Sequence, residues 1–159
     1  MVLVREVDAD DWEVLRDVRL DALQEAPYAF GSTYAREAPF TEEQWRARLA
    51  ARTVNFFAFT GEAADPAGLA AVFLGDGPAE LVSMWVRPAA RGRGVGEALI
   101  SAAAEWAKAR DHDTLYLWVA EVNPAARKLY ERCGFTPTGE EQPFPNDTSR
   151  VEFRMSLAL

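Results

Sequence analysis

From the first residues, apolar and polar positions alternate, MVLVREV, as they do in a half-buried or edge strand. Asp10 or Asp11 can then cap a helix that turns Trp12, Leu15, Val18, Ala22 and Leu23 to one face and stops before Pro27. APYAFGSTYAREAPF mixes turn formers with aromatics and reads as a loop. Thr41 and Gln44 form a capping-box pattern that opens a second helix through about Ala51. VNFFAFTG and GLAAVFLG read as strands joined by a turn around EAADPA, and AELVSMWV is a further strand after the turn signal GDGP.

The period then lengthens. A helix of about fifteen residues follows RPAARGRG, and after it come a strand TLYLWVA, a shorter helix PAARKLYERC, a strand starting at Phe135 and a last strand SRVEFRMSL. An antiparallel meander running into strand, helix, strand implies a mixed α/β sheet with a right-handed parallel crossover around the long helix. No repeat or linker interrupts the pattern, so residues 1–159 are expected to form a single domain.

Composition narrows the function. A chain of 159 residues, 49% hydrophobic, can build one core that buries roughly 68–70% of its unfolded surface. A formal net charge of −8 argues against nucleic acid as a partner and leaves a cationic small molecule as a natural one. Cys133 is the single cysteine, so no internal disulfide is expected. The N-terminal MVLVREVDADD lacks a signal-peptide core, and no apolar run approaches the ~20 residues of a membrane helix. The expected setting is cytoplasmic, away from membrane.

Against that acidic background, RPAARGRGVGEAL (87 to 99) is unusual. Gly92, Gly94 and Gly96 remove side chains where the N–H groups of a starting helix lack partners, and Arg91 and Arg93 add positive charge. With the helix dipole, this makes a seat for phosphate or pyrophosphate. The stretch is neither a Walker loop nor a dinucleotide fingerprint, because Glu97 stands where the third glycine of the latter would fall.

The pattern Arg91-Gly92-Arg93-Gly94-Val95-Gly96, between a strand ending in Val86 and a helix, resembles the acetyl-CoA loop of the GNAT N-acetyltransferases. Downstream, NPAARKLYERCGF (123 to 135) is similar to that superfamily's second signature, Asn-x-x-Ala-x-x-Leu-Tyr-x-x-x-Gly-Phe. The resemblance implies a mostly antiparallel sheet of about seven strands, opened into a V between strands 4 and 5 and flanked by about four helices. It also implies acetyl-CoA as cosubstrate and no metal. The pyrophosphate would lie on the backbone from Arg91 to Glu97, and the pantetheine arm along Met84, Trp85 and Val86, with the Val86 N–H polarising the thioester carbonyl. Asn123 would lie near the arm, and it also suits an N-cap before Pro124. Tyr130 would protonate the departing thiolate, although it also falls on an inward helix face with Ala126, Leu129 and Cys133. Glu80 matches the position of the glutamate base in the histone-acetylating branch, whereas other branches rely on water.

Other chemistry is thin. Cys133 lies on an apolar stripe with no histidine near in sequence and reads as a structural thiol, and His112, the one histidine, sits in the polar turn RDHD. Trp12, Trp106 and Trp118 read as core, whereas Trp85 can point into the sheet or toward an acceptor. The resemblance places the acceptor between YAFGSTYAREAPF (28 to 40) and EEQPFPNDTS (140 to 149). Tyr28, Phe30, Trp85 and Phe144 are its candidate aromatics, with Glu37, Glu140 and Glu141 as acids suited to a cationic amine. Three readings follow: acetylation of a small-molecule amine, which we favour; acetylation of a protein or peptide; and a CoA-binding module without catalysis. Relatives of this kind often form homodimers.

Overall fold

The computed structural model describes residues 1–50, 52–61 and 63–159. The chain runs β1 (Val2–Glu6), α1 (Trp12–Glu25), α2 (Tyr34–Glu37), α3 (Glu42–Ala50), β2 (Thr53–Thr60), β3 (Gly68–Phe73) and β4 (Glu80–Val86). It continues with α4 (Val95–Ala109), β5 (Thr114–Ala120), α5 (Pro124–Arg132), β6 (Thr136–Phe144) and β7 (Asp147–Ala158). All seven strands form one sheet in the order β1-β2-β3-β4-β5-β7-β6. β4 and β5 pair in parallel across the α4 crossover, and the other pairs are antiparallel.

Local chemistry explains where this departs from the pattern-based reading. The cap before α1 belongs to Asp8, whose side chain accepts from the Asp10 N–H at 2.9 Å while Asp11 accepts from the Asp8 N–H; Asp11 makes no side-chain cap of its own. Within the expected loop, Thr33 accepts from the Arg36 N–H at 3.1 Å and starts the single turn of α2. The capping box of α3 forms, with Thr41 N–H donating to Gln44 Oε1 at 2.9 Å and Gln44 N–H to Thr41 Oγ1 at 3.2 Å. Its expected end at Ala51, and Glu62 in the expected β2–β3 turn, lie outside the described residues. Residues 140 to 149, the second stretch expected to border an acceptor, are mostly strand, because β6 and β7 pair as far as Phe144 and Asp147.

Two apolar layers clamp the sheet. On one face α4 and α5 pack Val95, Leu99, Ile100, Ala103, Ala107 and Tyr130 against Phe56, Val72, Leu81, Leu115 and Leu117. On the other, α1 packs Leu15, Val18, Ala22 and Leu23 against Phe57, Leu69 and Trp85. Neighbours such as Phe56 and Phe57 serve opposite layers, which is why β2 and β3 read as apolar runs rather than strict alternations.

The sheet opens at one place. β4 and β5 are paired only at Glu80 and Tyr116, reinforced by the Tyr116 N–H donating to Ala79 O at 3.0 Å. Beyond that point β4 bulges: Leu69 faces Trp85 and Ala71 faces Val82, so Ser83 and Met84 share one partner, Ala70. Ser83 takes φ +58°, a left-handed conformation rare for a side-chain-bearing residue. Arg19 of α1 donates to its Oγ at 3.1 Å and grips Glu37 through two bonds of 3.0 Å, and Arg48 of α3 reaches the same carboxylate at 3.1 Å. Glu37 is fully buried, so the acid expected to greet an amine is instead neutralised inside the protein.

Burial works against ionisation of Glu37, and the Arg19 fork, with help from Ser32 and Arg48, outweighs it and leaves the carboxyl below its ordinary value. A depressed folded-state pKa contributes stability above the ordinary glutamate range and loses it as the pH falls. Glu37→Gln should therefore cost about 3–5 kcal/mol at neutral pH, read from urea unfolding, by leaving Arg19 and Arg48 uncompensated. The gap between variant and wild type should close on acidification.

Candidate active site

The loop before α4 delivers a bare helix start. Gly92 and Gly94 sit at φ +77° and +82°, where a β-carbon is strained, and no side chain caps the helix. The Ala98 N–H donates to Gly94 O at 3.0 Å, so the N–H groups of Val95, Gly96 and Glu97 precede the helical ladder and point outward. At Gly96 a β-carbon would lie 2.8 Å from Leu129 Cδ2, so this glycine lets α5 close against α4.

The charges around this seat are arranged differently from the sequence expectation. Arg91 donates through Nε to Val86 O at 3.0 Å and through Nη2 to Glu25, which also accepts from Trp85 Nε1 at 3.0 Å. Burial opposes ionisation of Glu25, but the Trp85 and Arg91 donors hold its carboxyl below the ordinary value. Arg91 thus ties loop, β4 and α1 together. Arg93 turns away and lines a separate surface groove with Asp17, Asp21 and Arg87. Glu97 pairs with Arg132 at 3.2 Å.

From the seat, a cleft of about 620 Å³ runs along the opened edge of β4 between Met84, Trp85 and Val86 on one side and Asn123, Ala126, Leu129 and Tyr130 on the other. The Arg87 N–H donates back to Ala67 O of the preceding turn at 2.7 Å. By the alternation of an antiparallel ladder, the Val86 N–H points the other way, into the gap. Asn123 caps α5 by accepting from the Ala126 N–H at 3.3 Å, leaving its amide donors toward the cleft. Tyr130 is 7% exposed, and burial raises its phenol far above the ordinary value, with Cys133 adding to the shift. It keeps its proton at any physiological pH.

A second cavity, of about 310 Å³, lies behind the first and shares Ala29, Met84, Asn123, Ala126 and Tyr130 with it. Phe30, Trp118 and Phe144 form its aromatic wall, and Glu80 and Glu152 its acidic part. Burial raises the Glu80 carboxyl; Arg154, 4.0 Å away, opposes this and the Glu152 charge adds to it. Burial likewise raises Glu152, against a hydrogen bond of 2.6 Å from Gln142 Nε2. Beside this cavity, Asn146 Nδ2 donates to Phe30 O at 2.6 Å and Ser32 O at 2.8 Å.

Of the residues read from the sequence, Glu80, Phe30 and Phe144 meet at this second cavity, and Met84, Val86, Asn123 and Tyr130 at the cleft or the junction. Tyr28 lines the cleft instead. The Trp85 indole packs under α1 and does not face the second cavity. Glu140 and Glu141 are exposed on β6. Trp118, read as core, is half-buried with Arg154 stacked 5.2 Å from its ring centre. Glu152, Ser83 and Arg19 were not legible as site residues, because their positions depend on the bulge and the opened edge rather than on any local motif. Among the described residues, no cluster of three His, Cys, Asp or Glu is placed to hold a metal ion, and no helix is long and apolar enough to cross a membrane.

A mixed seven-stranded sheet that opens beside its parallel pair, with an anion seat at the mouth of the opening, defines an acyltransferase-type fold. Residues 15–135 match the model of the acetyltransferase (GNAT) family, and the chain belongs to it. An uncharacterized N-acetyltransferase of Methanocaldococcus jannaschii is 46% identical over 57 residues, which is 36% of this chain and 25% of that protein. The chain thus matches about a quarter of that curated relative's length. The fold is shared with spermidine N-acetyltransferase from Vibrio cholerae, solved with CoA and spermine, at TM-score 0.78 and 18% identity over 99% of this chain and 95% of that one. It is also shared with the ribosomal-protein-S18-alanine N-acetyltransferase from Escherichia coli, at TM-score 0.71 and 21% identity over 99% and 94%.

The family uses acetyl-CoA, and the bare amides at Val95, Gly96 and Glu97 fit its pyrophosphate. Gly94→Glu adds left-handed strain, worth about 1–2 kcal/mol, and a negative charge at the seat. Calorimetry should show CoA affinity falling at least about tenfold, with the thermal midpoint much less affected.

Proposed function

We propose that the protein is an N-acetyltransferase that moves the acetyl group of acetyl-CoA directly to the primary amine of a small-molecule acceptor. The observation that carries this reading is the junction at Tyr130 and Met84, where the cleft along β4 meets a smaller cavity lined by Phe30, Trp118 and Phe144 together with Glu80 and Glu152. A cavity of this size with an aromatic wall favours a compact acceptor over a protein segment. Acetyl-CoA supplies a thioester, an acyl group already activated toward nitrogen.

The chain's own groups divide the remaining work. The amides at the start of α4 bind the diphosphate, and the free edge of β4 orients the arm. The Val86 N–H, directed into the gap, donates to the carbonyl oxygen and favours the charge that gathers there. An alkylamine is almost wholly protonated at neutral pH, so a base must take its proton; Glu80 is our candidate, and burial lifts it toward the useful range. Tyr130 holds its proton at Oη for delivery to the leaving sulfur.

Release of free CoA in the presence of an amine panel tests this. Tyr130→Phe should lower kcat about a hundredfold or more with CoA affinity intact; undiminished turnover would make the tyrosine structural. Because Glu80 must be ionised to act, kcat/KM in wild type should rise with pH through its raised pKa. Glu80→Gln should remove that limb, and an unchanged profile would assign the proton to water.

A further inference from the structure

We propose that the cavity behind Tyr130 takes a compact primary alkylammonium carrying no carboxylate, and that Glu152 selects it by its positive nitrogen. This rests on the acetyltransferase reading for the fate of the amine and extends it to the acceptor's class. Glu152 is 9% exposed on β7, opposite Ala120 of β5 and Gln142 of β6. Its hydrogen-bond partner is the neutral amide of Gln142, and among the described residues no cation comes within ion-pair distance of it. A carboxylate buried with no counterion is costly. Glu80 faces the same cavity, and its own cation, Arg154, stands at the limit of an ion pair, 4.0 Å away.

The one arginine among the described lining residues, Arg19, already has its charge matched inside the protein. Arg19 spends its fork on Glu37 and a further donor on Ser83. An amino acid would therefore bring its own negative group against Glu80 and Glu152 with no unpaired cation in that lining to meet it, whereas the matching amine brings only the missing cation. Phe30, Trp118 and Phe144 supply apolar surface for the carbon skeleton. About 310 Å³ holds on the order of ten water volumes, room for a small amine.

Phenethylamine and phenylalanine, which differ by one carboxylate, make the test in wild type without any variant. With acetyl-CoA, kcat/KM should favour phenethylamine by at least about a hundredfold, since each tenfold step corresponds to only 1.4 kcal/mol. Glu152→Gln should raise the KM for phenethylamine about tenfold or more while kcat falls less, with CoA affinity retained. Calorimetry of phenethylamine on the protein, with and without CoA, reads the site independently of turnover. Equal use of the two acceptors, or an unmoved KM in the variant, would overturn the proposal. Amine binding that depends on Glu152 but never leads to CoA release would overturn the acetyltransferase reading and leave the amine site standing. Acetylation of peptides or amino acids with no phenethylamine binding would overturn the amine site and leave acetyl transfer itself standing.

Discussion

The hydrogen bond from Arg19 to Ser83 Oγ, 3.1 Å long, anchors the place where the sheet stops being a sheet. β4 and β5 could go on pairing past Glu80 and Tyr116; a left-handed serine and an extra residue in β4 prevent it. A residue in that conformation persists only when its surroundings hold it there. Here they do so through a chain of charge, from Ser83 to Arg19, to a fully buried Glu37, to Arg48, that ties α1, α2 and α3 to one point of the sheet. Buried ion pairs are weak sources of net stability but effective at fixing one arrangement. In this protein the arrangement they fix is the gap.

A second chain of charge works at the other end of the opening. Glu25 accepts from Trp85 Nε1 and from Arg91, and Arg91 donates to Val86 O. The arginine of the glycine-rich loop is thus mostly a fastener, and attraction for an anion falls to uncapped amides and the helix dipole. This suits an acidic protein of a family whose cosubstrate carries a diphosphate, since it offers a local seat without a generally basic surface. It also leaves the Val86 N–H free, because the fastener takes the carbonyl of that residue and not its amide.

Elements with a local cause were readable in advance. The capping box at Thr41 and Gln44, the Asn123-Pro124 start of α5 and the bare glycines before α4 each declare themselves within a few residues. The two family signatures placed Tyr130 and Val86 at the cleft. What resisted reading depended on distance in the chain. Glu37 looks like any solvated acid until Arg19 and Arg48 arrive from α1 and α3, and Trp118 looks like core until the gap exposes one of its faces. Glu152 sits in a strand of alternating polar residues, and only the pairing with β5 and β6 turns it inward.

Asn146, at the tip of the β6–β7 hairpin, joins two loops by bonding the carbonyls of Phe30 and Ser32, which lie 116 and 114 residues earlier in the chain. Its partners are main-chain atoms, so the match depends on the lengths and paths of both loops rather than on their side chains. Substitution of neighbouring side chains can leave that match standing, whereas inserting or deleting one residue in a single loop breaks it. The space beside these loops is therefore shaped in two ways: substitution adjusts its lining, and a larger change requires both loops to change length together.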